Sequence, residues 1–252
     1  PSSADWDSYD IMHRLIDYFI FLLSGISLIT GCVQTTPHHP VEYLPDGFCY
    51  LDTVAPGVRV DLMYAGYDNF VGRPLAGYKG TRAILRKDTA AAVAQAADAL
   101  AKEGLGLLVR DAYRPATAMR DFYAWSKTPD HKMQHKYYPN ISKKGIYEGR
   151  YIGTTSEHSW GIAVDVTLVE LESGKELDMG GHVDLLDPSS ATNYAGLTPT
   201  QRANRQKLRQ VMARAGMRNY SKEWWHYFLS PSGLCRVYSF PITDHLEERD
   251  RH

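Results

Sequence analysis

Residues 156–165 read SEHSWGIAVD, and this stretch decides how the chain folds. Apolar alternation from Ile162 predicts a buried strand, which places the carboxylate of Asp165 in the interior. A buried carboxylate needs a cation beside it. His158 and Asp165 are seven residues apart, so one uninterrupted strand would point them to opposite faces. Gly161 lies between them and permits a turn or bulge, which predicts that both side chains meet at one point.

A second stretch, EWWHYF at residues 223–228, is aromatic and predicts another strand. Glu223 and His226 would face opposite sides of a bare strand, but both reach one centre if the strand twists or ends at a cleft. Two imidazoles and a carboxylate with an open fourth position suit catalytic zinc, which polarises a carbonyl and acidifies its bound water. A nearby glutamate that does not bind the metal would then act as the base.

The composition indicates one ordinary globular domain. The chain has 252 residues and a formal net charge of −1, which gives no electrostatic basis for binding nucleic acid. Apolar residues make up 44% and charged residues 23%, values that argue against disorder, collagen and a multispan membrane protein. The aromatic content of 12% suggests an α/β or α+β protein with a pocket rather than a helical bundle.

Local signals divide the chain into helices, a strand and a long loop. Residues 89–103 and 115–127 predict helices, and the apolar residues 105–109 between them predict a buried strand. Thr198 and Gln201 have the spacing of a capping box, which predicts a helix that Gly216 terminates. Residues 128–155 show no clear period and predict a long surface loop.

The N-terminal segment is typical of an exported protein. Residues 18–30 are uncharged but shorter than the roughly 20 residues of a membrane-spanning helix, so they fit a signal peptide whose natural start is Met12. The segment ends in ITGC, which resembles a bacterial lipobox and predicts lipidation at Cys32. An ordinary secretory signal and a buried N-terminal helix are the alternatives. The predicted organisation is a leader over residues 1–32, a tether over 33–46 and a domain over 47–252.

The cysteines leave one question open. Apart from Cys32 the chain has Cys49 and Cys235, which an exported protein can oxidise to a disulfide or keep as two separate buried thiols. No CxxC pair is present, which excludes a zinc site built from cysteines.

Several motifs in the correct order resemble one family. The pattern SxHxxGxAxD at residues 156–165 and EWWH at 223–226 occur together with YAxxDNF at 64–70, DAYRP at 111–115 and YYPN at 137–140. This set resembles the zinc DD-peptidases, most closely the D-alanyl-D-alanine dipeptidases of the VanX type. The resemblance covers residues 48–241 and implies a single α+β domain of the hedgehog/DD-peptidase kind, in which a mainly antiparallel sheet carries the zinc site and helices pack behind it.

The resemblance also implies a reaction and a site. The reaction is hydrolysis of the dipeptide D-Ala-D-Ala by a zinc-bound water. The signal and tether are additions to the cytoplasmic members of the family, and they predict work in the cell envelope, where salvage is a more natural use than antibiotic resistance. The resemblance implies one Zn²⁺ bound by His158, Asp165 and His226. It implies that Glu223 is the general base and that Arg114 is the cation for the anionic intermediate. It further implies that Asp184 and Tyr64 bind the amino end of the substrate and that Ser156 binds its carboxylate end.

Other interpretations stay open at this point. A zinc DD-carboxypeptidase would use the same chemistry on longer wall peptides, although a pocket closed by Asp184 argues against it. A zinc-stabilised binding domain would need neither Glu223 nor Arg114. Without the resemblance, the sequence around Arg114 is typical of a surface residue at the start of a helix. Tyr64 is equally consistent with a core position in a strand. Asp187 is an alternative candidate for the role of Asp184. The expected partners are a small dipeptide and, through a lipid anchor alone, a membrane.

Overall fold

The computed structural model describes residues 43–149, 151–153, 155–230 and 236–248. The predicted signal peptide, the lipidation site at Cys32, and Cys235 lie outside these residues. Leu44 falls within the predicted tether, yet its side chain is buried and its N–H donates a hydrogen bond to the carbonyl of Glu247. Cys49 is buried and has no disulfide partner among the residues that the structure describes.

The described residues form seven β-strands, namely β1 (Phe48–Tyr50), β2 (Arg59–Val60), β3 (Ile84–Arg86), β4 (Leu105–Asp111), β5 (Ala163–Glu170), β6 (Arg218–Asn219) and β7 (His226–Phe228). Strands β1 and β3 pair with each other, and the other five form one sheet in the order β2-β4-β5-β7-β6. Within that sheet β2 and β4 are parallel, whereas the three other pairs are antiparallel. The prediction of a mainly antiparallel sheet is confirmed.

The sheet positions the site through its two longest strands. In β5 all residues except the last are buried, as the apolar sequence around Asp165 predicts. The register of β4 against β5 shifts between Val109 and Asp111, and beyond this irregularity Asp111 pairs with Asp165. On the other side of β5, Asp165 pairs with His226 of β7. Three polar residues therefore lie side by side across the middle of the sheet.

The described residues also form six α-helices, namely α1 (Leu51–Val54), α2 (Lys87–Ala101), α3 (Ala116–Ser126), α4 (Gln134–Tyr137), α5 (Lys143–Glu148) and α6 (Pro199–Arg214). Helix α2 packs on β4 and on α6, and α6 also contacts β5. The predicted capping box of α6 is confirmed, because the Thr198 hydroxyl accepts from the N–H of Gln201 at 3.3 Å and the Gln201 side-chain oxygen accepts from the N–H of Thr198 at 3.0 Å. None of the helices in the described ranges is both long and apolar enough to span a bilayer.

Two predicted elements differ from the structure. The stretch 128–155 is not one irregular loop, because it contains α4 and α5, each too short for a helical period to show in the sequence. The aromatic stretch 223–228 is a strand only from His226 onward, since residues 223–225 form a turn that precedes β7. This second difference decides where Glu223 lies.

Candidate metal centre and substrate pocket

A tight turn joins the two halves of the stretch 156–165. A 3-10 helix (Glu157–Trp160) begins at Ser156, whose hydroxyl accepts a hydrogen bond from the N–H of His158 at 3.3 Å. Gly161 then reverses the chain into β5 with φ at +75°, in the left-handed region that favours glycine. A Cβ at this position would lie 2.3 Å from a ring carbon of Phe48. The turn predicted from Gly161 is therefore present, and it brings His158 to Asp165.

Three potential ligand atoms converge at this point. The Nε2 of His158 lies 3.2 Å from Asp165 Oδ2 and 3.1 Å from His226 Nδ1, and the same Nδ1 lies 2.9 Å from Asp165 Oδ1. Four tetrahedral ligands at about 2.0–2.1 Å from one zinc ion lie roughly 3.3 Å apart. The three side chains are all buried. Their type, number and spacing fit one zinc ion, and they leave a fourth position for a water or a substrate atom.

Neighbouring groups fix the protonation of these side chains. The Nδ1 of His158 lies 2.6 Å from the carbonyl oxygen of Ala112, to which it donates, so Nε2 is the nitrogen that faces the centre and can bind a metal. Burial raises the pKa of Asp165, but the imidazoles of His158 and His226 outweigh it and hold that pKa well below its usual range. The carboxylate is therefore ionised and ready to bind a cation.

Glu223 reaches the same pocket from the turn before β7. Its main chain is held there, because its N–H donates to the carbonyl of Tyr220 at 2.9 Å and its carbonyl accepts from Asn219 at 3.0 Å. Since Glu223 precedes the strand, it does not follow the strand's alternation and can face the same centre as His226. Its side chain is only 8% exposed, and burial raises the pKa of its carboxyl to about 8.

Arg114 is buried, so its interpretation as a surface residue is wrong. Its Nε donates to Asp111 Oδ2 at 2.8 Å, and its Nη2 lies 3.4 Å from Asp165 Oδ2. The guanidinium also lies 5.0 Å from the ring centroid of Tyr64. A rigid cation held next to the three ligands can face a negative charge that develops on a substrate there.

Asp111 is the functional residue that the sequence reasoning did not assign. It is fully buried at the end of β4, and it accepts hydrogen bonds from Arg114 and, at 2.6 Å, from the hydroxyl of Tyr78. The signal was available, because Asp111 is a carboxylate at the end of a buried strand and needs a cation for the same reason as Asp165.

Asp184 and Tyr64 form a buried pair across 120 residues of sequence. The Tyr64 hydroxyl donates a hydrogen bond to Asp184 Oδ2, and Tyr64 lies in a 3-10 helix (Met63–Ala65) rather than in a strand. Burial raises the pKa of Asp184 to about 6, with a further contribution from the charge of Asp165. Asp187 does not take the role of Asp184, because it caps a further 3-10 helix (Pro188–Ser190). There it accepts hydrogen bonds from the N–H of Ser189 and from the side chain of Asn140.

All eight predicted site residues line one small cavity of about 250 Å³. They are the residues Tyr64, Arg114, Ser156, His158, Asp165, Asp184, Glu223 and His226. Apolar side chains complete the wall, among them Phe70, Met119 and Leu186. The cavity thus combines a candidate metal centre, the cation of Arg114, the carboxylates of Asp184 and Glu223 and small apolar surfaces, which suits a small zwitterionic molecule.

Comparisons of the amino-acid sequence with known proteins point to one family. Residues 45–246 match the Peptidase M15 family, described as D-ala-D-ala dipeptidase. The chain is 36% identical to a D-alanyl-D-alanine dipeptidase of Enterococcus faecium and 38% identical to one of Streptomyces coelicolor, in both cases over 78% of this chain and 98% of the relative. A D-alanyl-D-alanine dipeptidase of Escherichia coli is 32% identical over 71% of this chain and 82% of the relative.

Proposed function

The chain belongs to the Peptidase M15 family of D-Ala-D-Ala dipeptidases, and from this premise we propose that its cavity hydrolyses D-Ala-D-Ala to two D-alanines. One observation carries the proposal. The three candidate zinc ligands, a buried glutamate and a buried arginine line the same small cavity as a carboxylate suited to an ammonium group. A noncatalytic binding domain would have no need of Glu223 or Arg114 at such a centre.

His158, Asp165 and His226 would hold the metal. Zinc bound by two imidazoles and one carboxylate would lower the pKa of a bound water to near neutral pH and would polarise a carbonyl. The remaining requirements of peptide hydrolysis are met by side chains of this protein.

Glu223 is the proton carrier of the proposed reaction. Peptide hydrolysis needs a group that takes a proton from the attacking water and delivers it to the leaving amine. Burial raises the pKa of Glu223 to about 8 in the metal-free protein, and a zinc ion in the same cavity would lower it toward neutral pH, where one carboxyl can perform both transfers.

Arg114 is the partner of the developing oxyanion. Asp111 and Asp165 hold its guanidinium beside the centre, so the positive charge is oriented before the substrate enters. Donors that are fixed in advance stabilise the transition state without a cost of reorganisation.

The two ends of the substrate select a free dipeptide. The ionised carboxylate of Asp184, supported by the Tyr64 hydroxyl, suits the ammonium group, and Ser156 lies on the cavity wall where it can donate to the terminal carboxylate. A longer wall peptide has an amide in place of that ammonium group and would leave the buried carboxylate of Asp184 without a cationic partner. This cost favours the dipeptidase over a DD-carboxypeptidase, as do the names of the relatives.

The test supplies the zinc-loaded protein with D-Ala-D-Ala, L-Ala-L-Ala and a wall pentapeptide ending in D-Ala-D-Ala, with the products identified by mass spectrometry. We expect cleavage of the free D,D-dipeptide alone. Release of D-alanine from the pentapeptide would instead identify a carboxypeptidase and remove Asp184 from its role. Zinc binding without any cleavage would support the binding domain.

For the location of this activity we propose the cell envelope, with Cys32 as the lipidated residue. The uncharged residues 18–30 and the ITGC that ends with Cys32 support this proposal. An envelope dipeptidase meets dipeptide released from the wall or the surroundings, which supports a role in salvage. Fractionation of cells that express the full chain tests the proposal, and recovery from the cytosol with an intact N-terminus would refute it.

A further inference from the structure

Arg205 is an arginine buried inside the domain. It lies on α6 with 1% of its surface exposed, and it donates hydrogen bonds to three main-chain carbonyl oxygens. Its Nε donates to Met179 at 2.6 Å, and its Nη1 donates to Ser189 at 3.0 Å and to Ala191 at 2.7 Å. Burial lowers its pKa to about 10, so the side chain stays charged at neutral pH.

The three carbonyls lie on both sides of Asp184 in the chain. Met179 precedes Asp184 by five residues, and Ser189 follows it by five. Among the residues that the structure describes, Asp184 is the one non-glycine residue with a positive φ, at 62°. Such a backbone conformation costs about 1–3 kcal/mol and persists only where the surroundings impose it. One guanidinium therefore joins the two ends of the segment that holds Asp184 in this conformation.

The same arginine is also connected to the turn that carries Glu223. The carbonyl of Ser190, between two of the residues that Arg205 binds, accepts a hydrogen bond from the N–H of Trp224 at 3.1 Å. The guanidinium of Arg205 lies 5.5 Å from the ring centroid of Trp224. Glu223 is the residue directly before Trp224, so the segment of Asp184 and the turn of Glu223 share one anchor.

We propose that Arg205 is a positioning residue that sets the carboxylate of Asp184 for the substrate's ammonium group. The inference rests on the proposed function, because it assigns to Arg205 the orientation of a group that binds the dipeptide. A side chain that only filled this space in the core would need no charge, because burying a charge costs free energy. The planar fork of arginine donates from two separate nitrogens in fixed directions to carbonyls on both sides of the segment, whereas an ammonium group offers all its donors from one point on a flexible stem.

The test is Arg205→Lys, which keeps the charge and removes the fork. The readout is the ratio of kcat/KM for D-Ala-D-Ala to kcat/KM for D-lactoyl-D-alanine, in which a hydroxyl replaces the ammonium group. Both substrates are measured on one zinc-loaded preparation, so a smaller folded fraction cancels from the ratio. We expect the ratio to fall on the order of 10-fold, because a small displacement of a positioned group has effects of this size.

Arg202→Lys is the matched control. Arg202 lies on the same helix and donates to the carbonyls of Ala195 and Leu197, each at 3.3 Å, outside the segment between Met179 and Ala191. Its ratio should equal that of the wild type. The inference is refuted if Arg205→Lys keeps the wild-type ratio, even with a lower rate, or if Arg202→Lys lowers the ratio as much. A wild type that hydrolyses D-Ala-D-Ala without preferring the ammonium group refutes both the role of Asp184 and that of Arg205, whereas a wild type that hydrolyses neither substrate refutes the proposed function itself.

Discussion

Glu223→Gln should make the metal-free protein more stable while it removes the activity. Glu223 is 8% exposed, and burial raises the pKa of its carboxyl to about 8 in the folded protein, against an ordinary value of 4.5. Between these two pH values the carboxyl is protonated in the folded chain and ionised in the unfolded chain. Ionisation therefore favours unfolding, and the stability of the wild type falls as the pH rises from about 4.5 to about 8.

The magnitude follows from the two pKa values. A pH of 7 is about 2.5 units above the pKa of the carboxyl in the unfolded chain. This difference corresponds to about 3 kcal/mol in favour of the unfolded chain. Glutamine does not titrate, so this contribution disappears in the variant. Burying its amide costs about 1–2 kcal/mol, and the net gain in the free energy of unfolding is about 1–2 kcal/mol at pH 7. Because the carboxyl is neutral in both states below pH 4.5, only the cost of the amide remains there, and the variant should be about 1–2 kcal/mol less stable than the wild type.

The same substitution removes the proposed base. Loss of a general base typically lowers a rate by about 10²–10⁴-fold, and this loss should appear in kcat. The amide has the shape of the carboxyl, and Glu223 is not among the three clustered ligands, so zinc should remain bound.

The assays are urea unfolding with a chelator present at pH 5 and pH 7.5, followed by tryptophan fluorescence, and release of D-alanine by the zinc-loaded protein. Glu172→Gln is the matched control, because Glu172 is exposed and does not line the cavity. It should change neither quantity. An equal shift of stability at both pH values would contradict the raised pKa of Glu223, and a wild-type rate would contradict its role as the base.

Three further substitutions test other parts of the site. His226→Ala should weaken zinc binding by more than the roughly 10- to 100-fold that loss of a ligand's supporting partner costs, which metal analysis after dialysis measures. Asp184→Asn should cost about 2 kcal/mol of binding to the ammonium group, or about 30-fold in kcat/KM for D-Ala-D-Ala, and much less for D-lactoyl-D-alanine; equal losses would contradict the assigned role. Gly161→Ala should destabilise the fold by about 2 kcal/mol or more in thermal unfolding, because the residue has a φ of +75° and its Cβ would meet Phe48; an unchanged midpoint would contradict this.

The elements whose signals lie within a short segment could be predicted from the sequence. The capping box of Thr198 and Gln201 starts α6 where it was expected, because both partners are within one helical turn. Strand β5 and the turn at Gly161 follow from apolar alternation and one glycine. These features require no knowledge of the rest of the chain, and they were sufficient to place His158 beside Asp165.

The sequence also supplied the roles of the site through its resemblance to a family, residue by residue. It did not supply the burial of Arg114, which alone reads as a helix start on the surface. That burial depends on Asp111, and the pairing of Asp111 with Asp165 depends on a register shift between β4 and β5. A register is a property of two strands together, so neither strand's sequence contains it.

The local elements, the ligand types and the turn that joins two of the ligands follow from the amino-acid sequence alone. Three features depend on the folded chain: Glu223 faces the centre from a turn before β7, Tyr64 reaches Asp184 across 120 residues, and Arg205 anchors the segment of Asp184. The physical reason is that caps and periodicity act within a few residues, whereas buried polar groups find their partners wherever packing brings a donor or an opposite charge within reach.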